Sequence, residues 1–490
     1  MQGLRRTACL LFTLVMLLFC APGFAEQEAI PLPTLDPNAL PYDANEPENL
    51  SPEQLYGWSS ILIESQSGEV IFEKDADEFR FPASTTKIMT ALVTLNVLGE
   101  EGLNGTAVVS ETALAALDGE ENVTRLKLEA GEEVNVRELL YATMVYSGND
   151  GACVLAEHVA GSIPAFVNLM NEYAAMLGCY NTHFANPHGL HDDDHYSTAR
   201  DMAIIANAAM QNETFRDIVR QPSVTISATN KHRERTYNTT NELFNPGTSE
   251  KANRFYFPDA IGIKTGFTNR AQYCFVGAAE RDGVELISVV MYAGKDSRWG
   301  DTIKLMNYGF AQYVSVSPMD LYAANPIERA TSGYTLTDPL RGSLTLSLVP
   351  ADETASKARI IATKTAVEDM KANFRTIAMI DYTKDFVAPI MAGEVMGTVT
   401  WLMENGQPVT YNLVADRTVK ARENLPPTIE EIEARTNADT NPFPPLSVEL
   451  VLEILAILGA TVGLYFLIRY LLFGRKRHGK DPKVKHRYLR

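Results

Sequence analysis

Cysteine is scarce, with five in 490 residues, and Cys9 and Cys20 both fall inside an apolar N-terminal run. Cys153, Cys179 and Cys274 remain, an odd number without paired spacing. That argues against a disulfide framework or a zinc site, and the three read as small buried residues. Positive charge is also short: 43 Lys and Arg stand against 61 Asp and Glu, a formal net charge of −18. An acidic chain argues against nucleic acid as a partner. General disorder is excluded by an apolar fraction of 46% beside a charged fraction of 21%. At this length two or three domains are expected.

What is present begins at the two ends. Arg5 and Arg6 precede an apolar run from Ala8 to Cys20, and "APGFA" follows with small residues at Gly23 and Ala25. Residues 1–25 therefore read as an export signal cleaved after Ala25. A lipid anchor on Cys20 is disfavoured by the bulk of Phe19. Near the other end, residues 450–473 are apolar, and Ile454 to Ile468 contains no charge. The stretch is long enough to span a bilayer, and it lacks the polar face that a surface-lying helix needs. The tail 474–490 carries eight Lys or Arg and one Asp, which places it on the cytoplasmic side and the bulk of the chain outside.

Between the ends, residues 26–50 are rich in Pro and acid and read as a flexible lead-in. "WSSILIES" and "EVIFEKD" predict a hairpin, and a helix follows Pro82 with Ile88, Leu92 and Leu95 on one face and Gly99 to end it. Residues 111–215 look helical, with Asn135 and Glu138 as a capping box and Asp150 as a further cap. Strands return at "AIGIKTGF", "QYCFVGAAE" and "VELISVVMYA", and a helix from about Arg298 to Tyr313 closes the unit. Strands at both ends with helices inserted between them predict an α+β domain over 51–315, its antiparallel sheet completed by distant segments. Five further strand-like runs, among them "ARIIAT" and "FRTIAMI", predict a small all-β domain over 316–422. An acidic, Pro-rich stalk (423–446) then leads to the membrane segment 447–473.

The chemistry is concentrated in three short motifs, each occurring once. Ser84 and Lys87 in "FPASTTKIMTALV" sit one turn apart at a helix start. A serine hydroxyl is a poor nucleophile until a base takes its proton, and a lysine serves only if desolvation or a neighbouring cation keeps its amine neutral. Ser147-Gly148-Asn149 falls at a break between helices, where side chains can point into a cleft. Lys264-Thr265-Gly266 lies on a strand, offering a second cation and a residue that lets another backbone approach. Each motif alone would be ordinary: a helix start, a cap, a solvated strand charge. A cluster of His188, His191, Asp192, Asp193, Asp194 and His195 has metal-ligating residue types, but it lacks the helical two-His spacing and reads as a solvated loop.

With those motifs in that order, the chain resembles the serine-type D-alanyl-D-alanine carboxypeptidases among the low-molecular-mass penicillin-binding proteins. The resemblance extends to "FANPHGL" (184–190), "HYSTARDMA" (195–203) and "GIKTGFT" (262–268). It implies a β-lactamase-like fold and acylation of Ser84 by the penultimate D-alanine of a peptidoglycan stem peptide, with β-lactams as inhibitors and no cofactor or metal. It further implies Lys87 as general base and Ser147 and Asn149 as proton shuttle and peptide holder. Lys264 and Thr265 would bind the terminal carboxylate, with Gly266 beside them. The backbone N–H groups of Ser84 and Phe267 would form the oxyanion hole. Gln272 departs from the pattern, standing where many relatives carry glycine. Two rivals share the motifs. A β-lactamase would add a glutamate-bearing loop, and no convincing Glu-x-x-Leu-Asn stretch lies between Asn149 and Lys264. A catalytically idle wall-binding scaffold would be under no demand to keep all five motif side chains.

Overall fold

The computed structural model describes residues 43–423 except 249–250 and 404–405, together with 429, 430 and 433. The expected signal 1–25, membrane segment 447–473 and tail 474–490 lie outside the described residues, as does most of the lead-in and the stalk. Among the described residues no single helix is long and apolar enough to cross a membrane. The described residues form two compact units: 43–316 with Arg359–Val367, and Ser317–Ala358 with the described residues from Glu368 onward.

The first unit is built on a five-stranded antiparallel sheet. Its strands are β1 (Ser59–Glu64), β2 (Val70–Lys74), β3 (Ala260–Thr268), β4 (Gln272–Arg281) and β5 (Val284–Ala293), in the order β2-β1-β5-β4-β3. Strand β1 pairs with β5 from Ser59↔Met291 to Glu64↔Leu286, so the sheet closes only when the chain's early and late segments meet. Side chains alternate across the pleat. Ile61, Ile63, Val276, Ile287 and Val289 enter one core, and Leu62, Phe275, Leu286 and Val290 enter another. With both faces covered, the strands read as near-continuous apolar runs such as "VELISVVMYA".

The first core is filled from helices inserted between β2 and β3: α1 (Lys87–Gly102), α2 (Val136–Val145), α3 (Asn149–Ala160), α4 (Ile163–Met176) and α5 (Ala199–Met210). The second is filled by α6 (Ser297–Gln312) through Trp299, Leu305 and Met306. Leu50 and Leu55 join that second core, so the chain orders earlier than the flexible lead-in predicts. A turn at Pro47–Asn49 precedes them.

Several local expectations change. Residues 116–132 contain no helix, interrupting the expected helical stretch. Asn135 caps α2 by accepting from Glu138 N, but the Glu138 carboxylate accepts instead from Ser227 N and Oγ, so only half of the box forms. Asp150 reaches away from its helix start to accept from Leu126 N (2.7 Å) and Leu128 N (3.2 Å), pinning the preceding loop. At Gly99 the backbone leaves helical geometry, with φ 59°, yet the helical segment runs on to Gly102. Gln272 holds φ 54°, the left-handed conformation that glycine favours, and its side-chain amide donates to Asn269 O at 2.7 Å.

The second unit has its own antiparallel sheet of β6 (Glu328–Ala330), β7 (Ser343–Pro350), β8 (Met379–Tyr382), β9 (Val395–Leu402) and β10 (Pro408–Ala415), ordered β6-β7-β10-β9-β8. It is not all-β. "FRTIAMI" belongs to a helix, Lys364–Ile377, as far as Ile377, and only Met379 onward is strand. The helix places Phe374, fully buried, against Trp401 (ring centroids 5.5 Å) and Tyr322 (5.4 Å). "ARIIAT" does form a strand, but its Ile360–Thr363 pairs with Tyr313–Val316 in the first unit. Truncating Phe374 to Ala removes the centre of this aromatic stack and is expected to cost about 3–5 kcal/mol, read as a lowered urea midpoint. A midpoint unchanged from the parent would contradict its place in the core.

Candidate active site

The opening motif does not begin as an α-helix. Ala83–Thr86 forms a 3-10 turn that runs into α1 at Lys87. In a 3-10 turn side chains three apart eclipse one another, which brings Lys87 Nζ to 3.0 Å from Ser84 Oγ. Ala83 accommodates the turn with φ 49°, an uncommon conformation for a residue with a side chain. Ser84 is half-exposed whereas Lys87 is fully buried. The nucleophile candidate is open to solvent, and its candidate base is sealed.

Two further partners surround the amine. Lys87 Nζ donates to Asn149 Oδ1 at 2.6 Å and to the His188 carbonyl at 2.7 Å. Burial lowers the pKa of Lys87 to about 7, against the smaller opposing influence of Cys153 and Asp150. The lowering is therefore desolvation rather than the neighbouring cation that sequence reasoning paired with it. A neutral amine has two hydrogens and one lone pair. With the hydrogens spent on Asn149 and His188, the lone pair is left for the Ser84 proton.

The segment that supplies His188 runs along α1. Pro187 O accepts from Thr90 Oγ1 at 2.6 Å, His188 O accepts from Lys87, and Gly189 packs on the backbone of Ala83. The loop 191–194 is exposed, as expected, but His188 and His195 are buried. Among the described residues no group of three or more His, Cys, Asp or Glu is arranged to hold a metal.

The third motif comes from β3. Lys264 is buried and donates to Thr265 O at 3.1 Å. Burial first, then the charges of Lys87 and Arg298, hold its pKa well below the usual lysine range. Thr265 Oγ1 lies 2.6 Å from Thr240 Oγ1. A Cβ on Gly266 would stand 3.0 Å from Pro82 O and 3.2 Å from Ser84 N, so the strand passes directly over the turn that bears Ser84. This brings Lys264-Thr265-Gly266 to Ser84, and Asn149 reaches the same amine. Ser147, largely buried, holds φ 71° immediately before α3. Phe267 follows Gly266 on the strand, half-exposed, its ring on Tyr273 at 4.3 Å.

Against these features, the D-alanyl-D-alanine carboxypeptidase family (Peptidase_S11) matches residues 46–295. The chain belongs to this family. Over a longer stretch, this carboxypeptidase family member is 30% identical over 368 residues to the D-alanyl-D-alanine carboxypeptidase DacF of Bacillus subtilis, covering 75% of this chain and 85% of DacF. It is 30% identical over 419 residues to DacC of Escherichia coli (84% and 89% covered). A Streptomyces D-alanyl-D-alanine carboxypeptidase is 36% identical over 257 residues, covering 50% of this chain and 84% of that one. The chain is accordingly a serine hydrolase of the peptidase class.

Sequence reasoning missed two groups that act on the motif lysines. The His188 carbonyl is a backbone group, invisible to any residue-type motif. Arg298, at the start of α6, lies over Tyr273 (4.6 Å) and Trp299 (4.4 Å), and its buried Nε has no hydrogen-bond partner among the described residues. Its charge reaches Lys264 only because β5 returns beside β4, a matter of topology that spacing does not reveal. Gly189 offers a direct check on the packing. Its φ is 85°, and a Cβ there would fall 1.9 Å from Ala83 O. Gly189→Ala is expected to cost about 3 kcal/mol or more from overlap and left-handed strain, measured by thermal or urea unfolding. Retention of the parental midpoint would contradict the close approach.

Proposed function

We propose that Ser84, Lys87, Ser147, Asn149, Lys264 and Thr265 carry out a serine acyl-transfer cycle that removes the terminal D-alanine from stem peptides ending in D-Ala-D-Ala. The observation that carries this is the fully buried Lys87 amine, its two hydrogens directed at Asn149 and His188 and its remaining side at Ser84 Oγ. Ser84 Oγ attacks the penultimate carbonyl while its proton passes to Lys87 Nζ. The developing oxyanion meets the backbone N–H groups of Ser84 and Phe267, a pairing supported by the close passage of β3 over the turn. The tetrahedral intermediate collapses as the C–N bond breaks. The proton on Lys87 is delivered, by way of the Ser147 hydroxyl, to the leaving amine of D-alanine. Water then repeats the sequence on the acyl-enzyme and releases the shortened peptide, limiting its use in cross-linking.

Asn149 spends its carbonyl on Lys87, which leaves its amide NH₂ to hold the peptide. Lys264 and Arg298 share the terminal carboxylate, with Thr265 donating beside them. An arriving carboxylate offsets the burial that otherwise holds the Lys264 amine toward its neutral form. The protein works on the outer face of the membrane, exported by residues 1–25 and anchored by 447–473. The uncharged stretch Ile454 to Ile468 and the basic tail after it support that placement.

The full-length protein, incubated with a peptide ending in D-Ala-D-Ala, is expected to release D-alanine and to carry a lasting penicillin adduct on Ser84, located by mass spectrometry. Neither event in a folded sample would end the reading, and rapid penicillin turnover would favour a β-lactamase. Because only the neutral amine accepts the Ser84 proton, the acylation rate should climb as pH rises through about 7 and level off above it. A profile flat from pH 5 to 9 would remove Lys87 from the role of base. Lys264→Ala and Arg298→Ala should each lower kcat/KM by about a hundred-fold on the free-carboxylate peptide and far less on its C-terminal amide. Equal losses on the two peptides would contradict carboxylate binding.

A further inference from the structure

His195 is the one member of the acidic loop 191–195 that turns inward, and the cycle above does not use it. Its ring is 2% exposed and lies edge-on to Phe184. The tautomer follows from its neighbours. Nδ1 accepts from the Ala185 N–H at 3.1 Å, so the ring hydrogen must sit on Nε2, which lies 2.8 Å from Thr86 Oγ1. Nε2–H therefore donates to the threonine hydroxyl. Thr86 is fully buried and stands between Ser84 and Lys87 at the end of the 3-10 turn.

That turn needs to be held. Ala83 carries φ 49°, and a residue kept in a sparsely populated region persists only where its surroundings over-determine it. Three restraints reach the turn and the helix start from one segment. They are the Pro187 and His188 carbonyls on Thr90 and Lys87, the backbone of Gly189 on Ala83, and the His195 ring on Thr86. The first two hold the helix start and the front of the turn. The third alone grips a side chain inside it.

We propose that His195 and Thr86 form a positioning pair, in which the Nε2–H···Oγ1 hydrogen bond fixes the Ala83–Thr86 turn so that Ser84 Oγ stays in line with Lys87 Nζ. The pair acts through Ser84 and touches no substrate. Burial lowers the His195 pKa to about 3, so the ring remains neutral wherever the enzyme works and takes no part as acid or base. A buried imidazole must satisfy both ring nitrogens, and here one of the two partners is a side chain of the turn that bears Ser84.

The inference rests on Ser84 being the nucleophile, and the test separates the two. In the full-length protein, Thr86→Val removes the hydroxyl at constant volume, and His195→Phe keeps a ring without the donor. Thr86→Ser and His195→Gln restore a hydroxyl and a side-chain N–H respectively. Penicillin acylation rates are measured beside melting temperatures. The two deleting variants should each slow acylation about ten- to hundred-fold, since small misplacements of a reacting atom are costly. The double variant should be no slower than the slower single one, as expected of a coupled pair. The restoring variants should recover to within about three-fold of the parent. Peptide KM should hold while kcat falls. Parental acylation in Thr86→Val, losses that multiply in the double variant, or restoring variants as slow as the deletions would each overturn the pair. Should His195→Phe fail to fold, Thr86→Val and Thr86→Ser decide the matter. A parent protein that takes no penicillin at Ser84 would instead overturn the acyl-transfer reading, and the pair with it.

Discussion

A lysine amine buried away from water is the constraint around which the first unit is organised. Taking an ammonium out of water costs several kcal/mol, and a protein meets that cost by letting the group lose its proton. Lys87 shows the outcome, with a pKa drawn down to about 7 by burial. The price is met by geometry: an amide oxygen from α3 and a carbonyl from the segment 184–190 take the amine's hydrogens. Both partners are neutral acceptors. A carboxylate in either place would have favoured the ammonium and removed the basicity the site requires.

The same economy explains why the motif residues arrive from separate elements. The 3-10 turn Ala83–Thr86 gives the hydroxyl, the first residue of α1 gives the amine, and the start of α3 gives Asn149. β3 gives the strand that crosses above the hydroxyl, with its own lysine nearby. Lys264 is in turn kept low by burial and by Lys87, so the two amines share one poorly solvated space. Such a space resists holding two positive charges and welcomes one anion, which suits a substrate that brings a carboxylate with it.

Much of this was legible in the sequence. Period-two alternation and continuous apolar runs located the five strands of the first sheet, and three short motifs picked out residues that the fold brings together around Ser84 and Lys87. What escaped was set by tertiary contact. Asp150 looks like a cap from its position but turns its carboxylate to Leu126 and Leu128, because the loop before α2 has buried N–H groups to satisfy. "FRTIAMI" has β-branched and aromatic residues suited to a strand, yet Phe374 is claimed by a helix that packs it on Trp401. His195 sits among three aspartates and reads as solvent-facing until the fold turns it inward. Gln272 shows the opposite case, in which the backbone keeps a glycine conformation and the side chain adapts to it.

The pairing of Ser59–Glu64 with Leu286–Met291 joins segments more than two hundred residues apart along the chain. Ser84 follows the early strands of that sheet and Lys264 lies on one of its late strands, so the two meet only when the sheet is whole. A chain whose late strands have not joined Ser59–Glu64 therefore holds Ser84 and Lys87 without the strand that carries Lys264 across them.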